Sequence, residues 1–220
     1  MIHLVVEGDS IPSIAYSAGL FPDTIWNHAE NSDLKTLRQD MNVLFPGDSV
    51  YVPDKQQRIE TAATDKKHKF RRWGVPSRLR LQLFNVETPR ADEAYELTID
   101  GATQQGTTDA KGVIEIWVPP GAKAGSLTIG EDNAVILLKF GHMDPLGELA
   151  GVQKRLSNLG YLCGTNPGQM DDATHEALRS FQRRFELKES GELDTETKAH
   201  LTKFHDKNDL FDPDPWLTES

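Results

Sequence analysis

A chain of 220 residues, 37% hydrophobic and 26% charged, is an ordinary water-compatible composition with room for more than one packed unit. Its net charge of −10 argues against general nucleic-acid binding, which needs a basic surface to displace counterions. The single cysteine, Cys163, excludes an internal disulfide framework and reads as a small, half-buried residue.

No apolar run approaches the roughly 20 residues a membrane helix needs. The N-terminus reaches Glu7 and Asp9 too soon for a cleaved signal peptide. The expected location is the cytoplasm, or the periplasm or cell wall by an export route that needs no such signal.

Residues 1–54 open with a short apolar strand at His3, Leu4, Val5 and Val6, followed by turn chemistry at Gly8-Asp9. Ile14, Ala15 and Leu20 share a helical face. A second helix is predicted near Pro22-Asp23-Thr24, because Pro is tolerated in a first turn, and it carries Ile25 and Trp26. Leu44-Phe45-Pro46-Gly47-Asp48 is a turn that feeds a second strand through Val50 and Val52.

This strand, two helices and strand resemble a LysM domain through Gly8-Asp9-Ser10, Ile14-Ala15, Gly19, Ile25 and Pro46-Gly47-Asp48 with Val50 and Pro53. Residues 33–42 depart from the pattern and read as an insertion. The resemblance implies a binder of N-acetylglucosamine polymers. Gly8, Asp9, Ser10 and Ile11 would form one wall of the glycan site, and Leu44, Phe45, Pro46 and Gly47 the other. The alternative is the same fold used only for docking.

Residues 55–77 form a basic linker. From Lys55 to Arg80 nine Lys and Arg face only Glu60 and Asp65, with Phe70 and Trp73 among them. Such a run is a solvated joint between acidic units or a patch for an anion.

Residues 78–141 alternate with period two: Leu79, Leu81, Leu83; Tyr95, Leu97, Ile99; Ile114, Ile116, Val118. Leu127, Ile129 and residues 134–140 supply two more strands. Asp100-Gly101 signals a hairpin. The expectation is an antiparallel β-sandwich of six or seven strands, similar to transthyretin-like or immunoglobulin-like spacers, with no chemistry of its own.

Residues 145–206 contain one phrase twice. Gly168-Gln169-Met170-Asp171-Asp172-Ala173-Thr174 returns as Gly191-Glu192-Leu193-Asp194-Thr195-Glu196-Thr197. In each, Gly ends one element and Asp caps the next helix. Leu149, Val152, Leu156 and Leu159 make one apolar stripe. Ala173, Ala177, Leu178, Phe181 and Phe185 make a second, and Leu201 with Phe204 a third.

With Val152-Gln153, Leu159-Gly160-Tyr161 and Phe181-Gln182, this unit resembles the type 1 peptidoglycan-binding domain, a non-catalytic three-helix module that holds cell-wall peptidoglycan. Asp171, Thr174, Asp194 and Thr197 are its caps and fold signature. The tail, 207–220, is acidic, contains Pro213 and Pro215, and reads as disordered.

Catalytic signatures are absent. The seven histidines form no His-Glu-x-x-His, no metal is expected, and no cofactor is implied. The carboxylates lie in caps and turns instead of a cleft. The fold class is therefore multidomain α+β: a small βααβ unit, an antiparallel β-sandwich and a three-helix bundle. The module order looks like that of small proteins of type VI and related contractile injection machines.

Three functions stay open: a non-catalytic peptidoglycan-binding adaptor; a docking or cargo-loading component that contacts a secretion spike or effector; and a cell-wall hydrolase with an unrecognised site.

Overall fold

A computed structural model of the protein describes residues 1–55, 66–67, 77–85 and 88–207. Most of the basic linker and nearly all of the acidic tail lie outside the described residues.

In the N-terminal unit β1 (Ile2–Leu4) pairs antiparallel with β2 (Ser49–Tyr51), Ile2 opposite Tyr51. Between them come α1 (Ile11–Ala18), α2 (Pro22–Trp26), a 3-10 turn (Ala29–Asn31) and α3 (Ser32–Arg38). The stretch read as an insertion is thus helical as far as Arg38, and the unit has a third helix. Leu34 of α3 joins the core of Ile11, Ile25 and Val50, so α3 is a packed element and not an excursion.

Local chemistry explains the first helix start. Ser10 and Ser13 form a reciprocal cap: Ser13 N donates to Ser10 Oγ (3.2 Å) and Ser10 N to Ser13 Oγ (2.9 Å). Asn31, almost fully buried, ties the helical segment to β2. Its amide donates to the carbonyls of Ile25 and Tyr51 and accepts from Tyr51 N, each at 2.8 Å.

The middle unit holds β3 (Ser77–Gln82), β4 (Phe84–Asn85), β5 (Thr88–Pro89), β6 (Ala94–Ile99), β7 (Ala102–Thr107), β8 (Val113–Val118), β9 (Ala124–Ile129) and β10 (Ala134–Lys139). Four of them form an antiparallel sheet in the order β10-β9-β6-β7, while β3 pairs with β8 and β4 with β5. Among the described residues eight strands stand where six or seven were expected. The five runs named from sequence are β3, β6, β8, β9 and β10; the two-residue pair β4–β5 and the polar β7 were not among them.

Leu79 and Leu81 of β3 and Ile114 of β8 share one apolar core with Leu97 of β6, Leu127 of β9 and Ile136 of β10. The β3–β8 ribbon thus packs on the inner face of the larger sheet, a two-layer arrangement.

The last unit is α4 (Leu149–Asn158), α5 (Asp172–Arg184) and α6 (Thr195–Leu201), the last continuing into a π-helical turn (Thr202–Asp206). Val152, Leu156, Leu178, Phe181 and Leu201 are fully buried together. Thr174 is buried while Ala173, placed on the inner stripe from sequence, is exposed. The Asp171 cap fixes this phase, because it draws the backbone N–H of Thr174 to its carboxylate at 2.8 Å.

The three units touch. Gly141, at φ 71°, lies against Gly8: a Cβ there would meet the Gly8 carbonyl oxygen at 2.4 Å. Lys123 donates to the same carbonyl at 2.8 Å, and His142 Nδ1 donates to Glu7 at 3.0 Å. Lys154 of α4 donates to the His142 carbonyl and to Asp144, both at 2.7 Å, closing the joint onto the helices.

Candidate functional site

Two constellations carry the residues singled out from sequence, and they use them in opposite ways. The first is inside the helical unit. Asp171 caps α5, and Thr174 Oγ1 donates to it at 2.7 Å. Thr174 Oγ1 in turn accepts from Gln153 Nε2 at 3.0 Å. Gln153 also accepts from Gly168 N (2.7 Å) and donates to the Gln169 carbonyl (2.9 Å).

The second copy repeats the glutamine bracket. Asp194 accepts from Thr197 N (2.7 Å), and Gln182 Nε2 donates to Thr197 Oγ1 (3.0 Å) and to the Glu192 carbonyl (2.9 Å). Gln182 Oε1 accepts from Gly191 N at 2.8 Å. Each glutamine therefore brackets the loop before one helix. Thr174, Thr197 and Gln182 are fully buried and Gln153 nearly so. These side chains are consumed by the fold.

The threonine hydroxyl and backbone N–H at each cap hold the carboxyls of Asp171 and Asp194 below the usual aspartate range. The fully buried Arg155 completes the unit. It donates to the carbonyls of Asp144 (2.7 Å) and Gly151 (3.0 Å) and to Asp206 (2.9 Å). Burial works to raise the Asp206 carboxyl, but hydrogen bonds from His205 and Arg155 win and lower it. Sequence reasoning missed Arg155; its place on α4 among Val152 and Leu156 was the available signal.

The second constellation is the turn and loop of the N-terminal unit. Asp9 Oδ2 accepts from Val6 N (3.1 Å) and His3 Nε2 (2.8 Å), which shapes the turn carrying Gly8. Ser10 caps α1, and Ile11 is fully buried. Of the expected first wall, Gly8 and Asp9 face the cleft described below, while Ser10 and Ile11 serve the fold.

On the facing loop Leu44 is buried, Phe45 half-buried, and Pro46 and Gly47 exposed. Asp48 organises it: its carboxylate accepts from Phe45 N (2.9 Å) and takes a bidentate contact from Arg38 at 2.8 and 2.7 Å. Burial alone would raise the Asp48 carboxyl, yet these donors pull it below the usual range. Arg38 comes from the stretch read as an insertion, so α3 supports the loop that was expected to bind glycan.

Turn and loop face a cleft of about 330 Å³. Its near side is residues 6–9 and 44–46. Its far side is residues 141–144 of the joint and Glu148, Ala150 and Lys154 of α4.

Among the described residues no group of three or more His, Cys, Asp or Glu converges as a metal set. His200 Nδ1 donates to the Glu196 carbonyl at 3.0 Å, whereas His205 contacts Asn158 (3.0 Å) and Asp206 (2.7 Å). Cys163 is half-buried, and burial pushes its thiol up, away from the reactive thiolate. No helix among the described residues is long and apolar enough to cross a membrane.

Residues 147–201 match a family model described as a putative peptidoglycan binding domain, and they coincide with α4, α5 and α6. No curated protein and no solved structure matches the chain. The match supports the resemblance of the helical unit to peptidoglycan-binding domains. The N-terminal and β units fall outside it.

Proposed function

We propose that the protein is a non-catalytic adaptor that binds cell-wall peptidoglycan, with its LysM-like and helical units both engaging the wall, as an accessory of a type VI-like secretion machine. The supporting observation is the family match over 147–201, where both Gln–Thr–Asp brackets of the helical domain are intact. The secretion role is supported only by the order of the modules. Two weak sites on one chain reinforce each other through effective concentration.

The test is co-sedimentation of the intact chain with purified sacculi. Retention that free muropeptides compete away supports wall binding, and a chain left wholly in the supernatant ends it. Turbidity of the sacculi should stay constant; a chelator-sensitive fall would replace the adaptor with a hydrolase.

A second reading has its own observation. Lys123 already holds the Gly8 carbonyl and His142 already holds Glu7, so part of the LysM-like turn is engaged by its own chain. A docking or cargo-loading protein would then show no sacculus binding but a stable complex with a spike or effector protein.

A further inference from the structure

We infer that the cleft between the N-terminal unit and α4 is one composite site, which takes a short, neutral, N-acetylated stretch of wall glycan gripped from both sides at once. The inference rests on the wall-binding reading and adds to it that the two modules do not bind separately.

The walls come from different modules. Gly8 and Phe45 lie on the N-terminal side, and Ala150 and Lys154 belong to α4, inside the segment that matches the peptidoglycan-binding family. The gap between them is set before any ligand arrives. Gly141 is pressed on Gly8, His142 donates to Glu7, and Lys154 donates to the His142 carbonyl. A site braced in this way loses little ordering entropy on binding.

Size and chemistry select the ligand. About 330 Å³ is at the low end of small-molecule sites, which span roughly 300–1,000 Å³. One or two sugar rings suit that space, and a longer polymer would run out of both ends.

The surface is mixed: Leu44, Phe45, Met143 and Ala150 offer apolar wall, and at the rim Glu148 stands exposed beside Glu7, one of whose oxygens already accepts from His142. Ionised carboxylates only accept hydrogen bonds. Sugar hydroxyls and acetamide N–H groups are donors, while acetyl methyls and ring C–H faces need apolar wall. An anionic wall polymer meets the opposite situation. Lys154 is the α4 cation at the cleft, and it is already committed to Asp144 at 2.7 Å.

The experiment is an amide chemical-shift titration of the full chain with a tetramer of N-acetylglucosamine, and with inorganic phosphate as the anionic probe. The expected result is that Gly8, Phe45 and Ala150 shift together with a single midpoint on the sugar, and that phosphate moves none of them. Ala150→Trp, which fills the cleft from the α4 side, should weaken the sugar at least tenfold with an unchanged melting temperature.

Shifts confined to one wall, or full affinity in the Ala150→Trp chain, overturn the composite site. If that variant does not fold, the titration of the unsubstituted chain decides alone. Sacculus binding with one-sided shifts sinks the composite site only. A chain that ignores sacculi removes the reading beneath it.

Discussion

The helical unit and the N-terminal unit both carry a short acidic turn followed by a helix, and they spend those residues differently. In the helical unit the Asp caps, their threonines and the bracketing glutamines close on one another, and the threonines and Gln182 are fully buried. In the N-terminal unit Gly8 is also buried, but by other parts of the chain: Lys123 and Gly141 cover it, and His142 meets the neighbouring Glu7. A motif recognised in sequence can therefore mean a self-contained knot or a contact between units. Where the partners of its polar groups come from tells the two apart.

The sharpest break of this contrast is Gln182→Ala. It strips partners from buried Gly191 N and Thr197 Oγ1 and opens a cavity at a fully buried position. A loss of about 3 kcal/mol is expected, from unpaired buried groups at roughly 1–3 kcal/mol each. Gln153→Ala breaks the equivalent bonds, but its loop, residues 165–170, is exposed, so water can replace some of them. About 2 kcal/mol is expected there. Urea unfolding of the two variants, followed by probes in the helical unit, checks the order; equal losses would mean the two brackets are equally sealed.

Asp48→Ala tests the other side of the comparison. It removes the bidentate partner of Arg38 and the acceptor for Phe45 N, at a side chain only 8% exposed. A loss of about 2 kcal/mol is expected, since hydrogen bonds to charged groups are worth roughly 1.5–3 kcal/mol. The loop bearing Pro46 and Gly47 should loosen while the helical unit keeps its amide-exchange protection. Loss of protection in both would show that the units do not open separately.

Acid should affect the helical unit through its caps. Asp171, Asp194 and Asp206 all have carboxyls lowered in the folded state. Their contribution is complete above the unfolded aspartate value of about 3.9 and is lost as pH falls through the lowered folded values. Melting temperature followed from pH 6 to pH 2 should drop most steeply below about pH 4. The double variant Asp171→Asn, Asp194→Asn should flatten that limb; an unchanged slope would move the acid sensitivity elsewhere.

The same contrast explains what could be seen in the sequence. Caps are local, so Asp171 and Asp194 announced helix starts that the structure places one residue later, at Asp172 and Thr195. Gln153 and Gln182 were visible as part of a family pattern, but their work is long-range and only the folded loops reveal it. Strand β7 was marked only by the hairpin turn at Asp100 and Gly101: Ala102–Thr107 is polar and largely exposed, shows no apolar alternation, and owes its place to pairing with β6. Arg38 was hidden because departure from a family pattern suggested an insertion. Nothing local marks an arginine that will meet Asp48 ten residues on.

Only the near side of the cleft, Gly8 and Asp9 with Leu44, Phe45 and Pro46, was legible in sequence; its far side lies about a hundred positions on, in the joint and α4.

The smallest effect marks where the comparison stops. Glu189 lies beside Gln182's loop and pairs with Arg183 at 2.8 Å, yet the two side chains are 45% and 61% exposed. An ion pair so wet gains little over its two hydrated ends and loses side-chain freedom to form. Glu189→Ala should cost under about 0.5 kcal/mol, and 0.5 M salt should erase most of that. The adjacent Gln182 bracket is neutral and buried, so its cost should not respond to salt. Urea midpoints of both variants, taken at low and high salt, separate them. A large, salt-resistant loss at Glu189 would mean that the loop from 186 to 190 belongs to the sealed network and not to the surface.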